Sequence, residues 1–87
     1  MNVIALSRLR DFWSDHPEAE DSLRAWHKRL SSDSFATYAE LKETFSSVDL
    51  VPTKVGEKVH VFDVGGNKYR VITWIRYTAQ TVFIKFV

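Results

Sequence analysis

The chain of 87 residues contains no cysteine. This absence excludes disulfide bonds, thiolate catalysis and zinc sites with sulfur ligands, and it is compatible with a reducing cellular compartment. A domain of this length does not depend on such cross-links for its stability. We therefore expect residues 1–87 to form one domain around a single core.

Long apolar runs are also absent. No stretch approaches the roughly 20 apolar residues that cross a bilayer, and residues 1–30 lack the basic start, apolar stretch and cleavage site of a secretory signal. We expect a soluble, cytoplasmic protein that makes no contact with a membrane. Carboxylate clusters and histidines at ligand spacing are missing too, so the sequence predicts no metal site.

The formal net charge of +1 conceals two halves of opposite sign. Residues 1–50 contain six basic and nine acidic residues, whereas residues 51–87 contain six basic and only two acidic ones. The positive potential is therefore concentrated in the C-terminal half, where it favours binding of a phosphate polymer. A simple solvated strand face is the alternative interpretation.

A β-hairpin is predicted at residues 58–72, because two β-branched and aromatic runs flank the turn residues Gly65, Gly66 and Asn67. These three residues tolerate the positive φ angles that tight hairpin turns require. Four basic side chains are expected to converge near this hairpin and to favour an anionic partner: Lys58, His60, Lys68 and Arg70.

Apolar residues at helical spacing predict two to three helices in the N-terminal half. The first is expected to begin at Ser7 and to end near His16, because Pro17 disfavours helical geometry in the residue before it. Pro17 then suits the first turn of a second helix. Thr37 and Glu40 form a capping-box pattern that predicts a short third helix.

Strands are predicted for most of the chain after residue 58, so helices precede strands and the fold class is α+β. We expect an antiparallel meander with the helices packed on one face and the last strand at an exposed edge. Residues 1–5 fit either a strand or a helix lead-in. Residues 69, 71, 73 and 75 should face one side of the sheet, and residues 70, 72, 74 and 76 the other.

The other face of this sheet has no helix to cover it. Phe62, Trp74 and Tyr77 are the aromatic candidates for it, and aromatics interleaved with basic groups are typical of RNA-binding surfaces. Burial of these aromatics in the core is the alternative.

An ordered set of motifs extends over nearly the whole chain. They are residues 9–13 (LRDFW), 16–20 (HPEAE), 23–26 (LRAW), 39–45 (AELKETF), 61–70 (VFDVGGNKYR) and 82–87 (VFIKFV). With these motifs the chain resembles the HigB family of bacterial toxins. The segment Gly-Gly-Asn-Lys-Tyr-Arg, followed by a Val-Phe-Ile-Lys-Phe-Val strand, is the most restrictive part of the resemblance.

The resemblance implies a RelE-like sheet with helices on one face and the toxin role in a type II toxin-antitoxin system. The implied activity is endonucleolytic cleavage of mRNA, typically on the ribosome, without a metal or organic cofactor. The implied partner is HigA, a helix-turn-helix antitoxin. The resemblance implies that the toxin contacts operator DNA only through this antitoxin. Family members usually continue with a segment of the type Thr-His-x-x-Tyr-Asp, whereas this chain stops at Val87.

Metal-free RNA cleavage uses the ribose 2′-hydroxyl as the nucleophile and requires a base, an acid and cations at the phosphate. Arg70 matches the family's Tyr-Arg motif and is our first candidate for phosphate binding, because a guanidinium contacts two phosphate oxygens at once. Lys85 matches the basic position of the last strand, and His60 is the candidate for acid-base catalysis. Further RNA contacts are predicted for Lys54, Lys58, Lys68, Arg76 and Tyr77.

Two alternatives remain open at this point. In the first, the chain lacks catalysis and still binds antitoxin, ribosome or RNA, because the His/Tyr segment is missing. In the second, it is a small RNA-binding domain without toxin ancestry.

Overall fold

Three helices precede most of a five-stranded sheet in the computed structural model, which describes all of residues 1–87. The spatial order of the strands is β1-β5-β4-β3-β2. The elements are β1 (Asn2–Ile4), α1 (Leu6–Asp15), a 3₁₀ turn (Pro17–Ala19), α2 (Glu20–Ser32), α3 (Tyr38–Thr44), β2 (Asp49–Pro52), β3 (Lys58–Val64), β4 (Tyr69–Arg76) and β5 (Thr81–Phe86).

The predicted hairpin is confirmed by the pairing of β3 with β4, in which Asp63 lies opposite Arg70 and Val64 opposite Tyr69. The turn between the strands has φ angles of 66° at Gly65, 62° at Gly66 and 71° at Asn67. Left-handed backbone of this kind is accessible to glycine and asparagine at little cost. The turn residues thus fix the register of the two central strands.

Local signals in the helical half are mostly confirmed. Thr37 accepts a hydrogen bond from the backbone N–H of Glu40 at 3.2 Å, as the capping box predicts. The start of α1 differs from the prediction, because its N-cap is Ala5, with a φ of 72° and no side-chain cap, and not Ser7. Pro17 begins a 3₁₀ turn that leads into α2.

The expected all-antiparallel meander is wrong at one edge. Residues 2–4 form β1, which pairs in parallel with β5, so the sheet is mixed and β5 lies inside it. The Met1 amino group donates hydrogen bonds to the carbonyls of Leu30 and Asp33 near the end of α2, which attaches this short strand to the helical layer. The true edges of the sheet are β1 and β2.

One hydrophobic core fills the space between the helices and a single face of the sheet. Leu9, Leu23, Leu30 and Leu41 contribute from the helices and are completely buried. Phe62 of β3 is 1% exposed, and residues from neighbouring strands complete the layer: Val64, Val71, Ile75, Val82 and Ile84. The α+β architecture with helices on one face is therefore confirmed.

None of the helices has the length and apolar character needed to cross a membrane.

Candidate nucleic-acid interface

The sheet face turned away from the helices is the surface that the sequence predicts for RNA. Strand alternation and register place one set of side chains on it, because cross-strand partners share a face. We call this set the open face; it comprises Asn2, Ile4, Asp49, Val51, Val59, Val61, Asp63, Arg70, Ile72, Trp74, Arg76, Thr81, Phe83 and Phe86.

An aromatic pair lies at the centre of the open face. Trp74 of β4 is opposite Phe83 of β5, and their ring centroids are 5.7 Å apart with the planes inclined at 37°. Trp74 is 39% exposed and Phe86 is 66% exposed, although both are large apolar side chains. Exposed apolar groups clustered on one surface are typical of an interaction site.

Arg70 stands at the hairpin end of the open face. Its Nε lies 3.5 Å from Oδ1 of Asp63, the residue opposite it on β3, and its side chain is 75% exposed. The carboxylate is only 21% exposed and thereby orients the guanidinium without covering it. Lys68 is exposed in the adjoining turn, so two cations mark this end.

Lys85 occupies an irregularity in the last strand. Thr73 pairs with Ile84 whereas the preceding residue, Ile72, pairs with Phe86, so Lys85 is the extra residue of a β-bulge. The side chain is exposed. Bulges commonly redirect a side chain next to a functional site, and this one leaves Lys85 level with the middle of β4.

The remaining predicted cations lie at the opposite end of β3 and β4. Arg76 ends β4, Lys58 begins β3, and Lys54 lies in the connection between β2 and β3; all three are exposed. A strand rises about 3.3 Å per residue, so Lys58 and Lys68 are separated by roughly the full length of β3. The predicted convergence of Lys58, His60, Lys68 and Arg70 is therefore wrong, because Lys58 lies at one end of the hairpin, Lys68 and Arg70 lie at the other, and His60 is buried.

His60 and Tyr77 lie on the helix side of the sheet and not with Arg70 and Lys85. His60 is 5% exposed, and its Nε2 is 2.7 Å from the Tyr77 hydroxyl. Burial lowers the pKa of His60, while burial and the neighbouring Tyr38 raise the pKa of Tyr77 to about 12. The predicted grouping of His60 and Tyr77 with the RNA-facing cations is therefore corrected, because both side chains face the core.

A sequence signal for the orientation of His60 was present. His60, Phe62 and Val64 lie at alternate positions of β3 and therefore point to the same side of the sheet. Because Phe62 and Val64 are apolar and face the core, His60 faces the core as well. The same alternation places Asp63 on the opposite face, where the sequence analysis did not select it. Across the structure, no three histidine, aspartate or glutamate side chains converge in a group that could hold a metal ion.

A family model matches residues 19–87, a span that includes all of β2 to β5 and therefore the open-face residues of those four strands. Its description is HigB_toxin, RelE-like toxic component of a toxin-antitoxin system. The chain belongs to the HigB toxin family. The family resemblance of its motifs is thus confirmed.

Curated HigB relatives align with almost the entire chain. The mRNA interferase HigB of Escherichia coli O6:H1 is 26% identical over 87 residues, which are 100% of this chain and 82% of the relative. The mRNA interferase toxin HigB of Escherichia coli K12 is 30% identical over 85 residues, or 98% of this chain and 80% of the relative. The mRNA interferase HigB of Shigella flexneri has the same identity and coverage.

Proposed function

We propose that this HigB-family toxin is an endoribonuclease that cleaves mRNA on the open face of its sheet. The observation that carries the proposal is the placement of Arg70, Trp74 and Arg76 along one exposed strand face, with Lys85 beside them. Cations separated by an exposed aromatic ring suit an unpaired RNA strand, because they contact phosphates while the ring stacks on a base. The names of the HigB relatives, all mRNA interferases, support the same activity.

The proposed reaction is attack of a ribose 2′-hydroxyl on the adjacent phosphorus. This attack forms a 2′,3′-cyclic phosphate and breaks the bond to the 5′-oxygen, which leaves with a proton as a hydroxyl. Arg70 and Lys85 stabilise the charge that develops on the phosphate oxygens, and Asp63 positions the Arg70 guanidinium. Because His60 faces the core, it does not take the proton of the 2′-hydroxyl or protonate the leaving 5′-oxygen. Other groups, including those of RNA and ribosome, carry out these two proton transfers.

The proposed partners follow the family. A HigA-type helix-turn-helix antitoxin neutralises the toxin and mediates any contact with operator DNA, and translating ribosomes present the mRNA. Lys54 and Lys68 are exposed in the turns at the two ends of the sheet, and Lys58 is exposed at the first residue of β3, on the side of His60. All three contact RNA backbone or ribosome from the margins of the open face.

The test is induced expression of residues 1–87, alone and with a HigA-type antitoxin, while growth and mRNA 5′ ends are followed. We expect growth arrest and new 5′ ends, both suppressed by the antitoxin. Arg70→Ala should reduce cleavage by about 100-fold or more, the usual effect of removing one charge-stabilising donor, whereas the exposed Arg8→Ala on α1 should cleave normally. Equal cleavage by the folded Arg70→Ala variant would remove Arg70 from the site.

A second candidate function is a binding module without catalysis. The observation that favours it is the absence of histidine from the open face, since His60, the one histidine of the basic half, is buried. Normal growth during expression of a folded protein that still binds antitoxin would select this function over the nuclease.

A further inference from the structure

A cleft of about 330 Å³ lies between α1 and α2, within the helical layer and apart from the open face. Leu6 and Trp13 supply its apolar surface. The other lining residues are all basic or histidine, with no carboxylate among them: Arg10, Arg24, His27 and Lys28. This composition is unexpected in residues 1–50, where acidic residues outnumber basic ones.

Two cations of the cleft have no counter-ion. Arg24 is paired with Glu20, since its Nε lies 2.7 Å from Oε2, and its guanidinium carbon stands 4.7 Å from the centre of the Trp13 ring. Arg10 and Lys28, in contrast, have no carboxylate oxygen within 4.0 Å. They stand on α1 and α2 respectively, so the positive charge available to a ligand comes from both walls.

His27 adds a polar group to the cleft without adding charge. It is half-buried, and burial lowers its pKa, so the imidazole is neutral at pH 7 and offers one donor and one acceptor.

We propose that this cleft binds an acidic, amphipathic segment of a protein partner. A carboxylate of the segment lies between Arg10 and Lys28, and a neighbouring apolar side chain packs on Leu6 and Trp13. The unpaired cations select an acidic ligand, and the apolar surface of Leu6 and Trp13 selects an apolar side chain. A segment that carries both on one face satisfies the two requirements together.

RNA fits the cleft less well for two reasons. One face of the Trp13 ring is already occupied by the Arg24 guanidinium, so a base cannot stack on that face. The two helices also carry the carboxylates of Asp11, Glu20 and Asp21, which repel a continuous phosphate chain more than a short segment with isolated carboxylates.

The test is titration of the full-length chain with a fluorescein-labelled helical peptide that carries Glu and Leu four residues apart, which places both on one helix face. Binding is measured by fluorescence anisotropy and located by amide chemical shifts. We expect saturable binding with shifts at α1 and α2. Arg10→Glu and Lys28→Glu should each weaken it at least tenfold, while Arg8→Glu, an equal charge change on α1 outside the cleft, should leave it within twofold.

The same peptide with Gln in place of Glu and a labelled oligouridylate of similar length are the comparison probes. Weaker binding of both supports the proposal. It is overturned by equal binding of the Gln peptide, by tighter binding of oligouridylate at α1 and α2, by an equal loss in Arg8→Glu, or by no binding of the Glu peptide at millimolar concentration. Since none of these readouts uses RNA cleavage, the result is independent of the nuclease proposal.

Discussion

The two faces of β4 have opposite surroundings although they belong to the same eight residues. Val71 and Thr73 are 0% exposed and Ile75 is 8% exposed, because the helices cover them. On the other face Arg70 and Arg76 are exposed, and Trp74 is exposed to 39%. A single strand thus contributes one set of side chains to the core and the other set to the proposed RNA-binding surface.

Apolar side chains on a sheet face are therefore not sufficient evidence that the face is buried in the core. The open face carries the exposed side chains of Trp74 and Phe86, with the half-buried Phe83 packed beside Trp74. A surface without a binding role rarely clusters such large apolar groups. The helices cover one face, and we propose that RNA covers the exposed apolar groups of the second. The two faces should therefore respond differently to substitution.

The largest effect on stability is expected on the covered face. Phe62 is 1% exposed and packs edge-to-face against Trp26 at 5.2 Å and Phe45 at 5.3 Å. Phe62→Ala should lower the free energy of unfolding by about 3–5 kcal/mol, measured by urea denaturation, because it leaves a cavity among rings that cannot collapse. A loss below about 1 kcal/mol would contradict the tight packing of this face.

The matching substitution on the open face is Trp74→Ala. We expect a loss of unfolding free energy of about 1 kcal/mol or less, since a partly exposed residue leaves no closed cavity. Affinity for single-stranded RNA should fall about 5- to 100-fold, as expected for a lost base stack of 1–3 kcal/mol. A stability loss equal to that of Phe62→Ala, with unchanged RNA affinity, would assign Trp74 to the core.

The hairpin turn offers a smaller and well-matched comparison. Gly65 and Gly66 both have positive φ angles, so alanine at either position should cost about 1–2 kcal/mol of stability. A Cβ at Gly65 also meets Tyr69 Cδ2 at 3.2 Å and Ser22 Oγ at 3.4 Å, whereas a Cβ at Gly66 meets nothing. The melting temperature of Gly65→Ala should therefore be lower than that of Gly66→Ala. The reverse order would contradict the close approach of Gly65 to Tyr69 and to Ser22 of α2.

The covered face should also confer a pH dependence that the open face does not. The pKa of His60 is lowered below its usual 6.5, so at mildly acidic pH the unfolded chain binds a proton that the folded chain does not. Stability should consequently decrease as the pH falls from 7 towards and through the lowered pKa. His60→Phe should reduce this slope, and a wild-type slope in that variant would show that His60 does not cause it.

Short-range patterns predicted much of this fold. The turn at Gly65, the capping box at Thr37 and the alternation along β4 are local, and each depends on the chemistry of a few neighbouring residues. The same alternation identified the exposed position of Arg70. These features needed no knowledge of distant contacts.

Long-range pairing accounts for what the sequence did not predict. Strand β1 has only three residues, which are too few to show the alternation of apolar and polar residues that predicts a strand. Its partner, β5, is also far away in the sequence. The bulge at Lys85 exists only relative to the register of β4. The orientation of His60 depended on which face of β3 the helices cover, and its basic neighbours in sequence suggested the wrong one.

The pairing of β1 with β5 also sets the order in which the protein matures during synthesis. Asn2, Val3 and Ile4 leave the ribosome long before their partners Thr81, Val82 and Phe83, which lie 79 residues later in the chain. The first strand must therefore remain unpaired while those residues are translated, and this pairing closes a long loop. Because Lys85 follows on the same strand, a nascent chain lacks both the β1–β5 pairing and a complete open face until β5 has been translated.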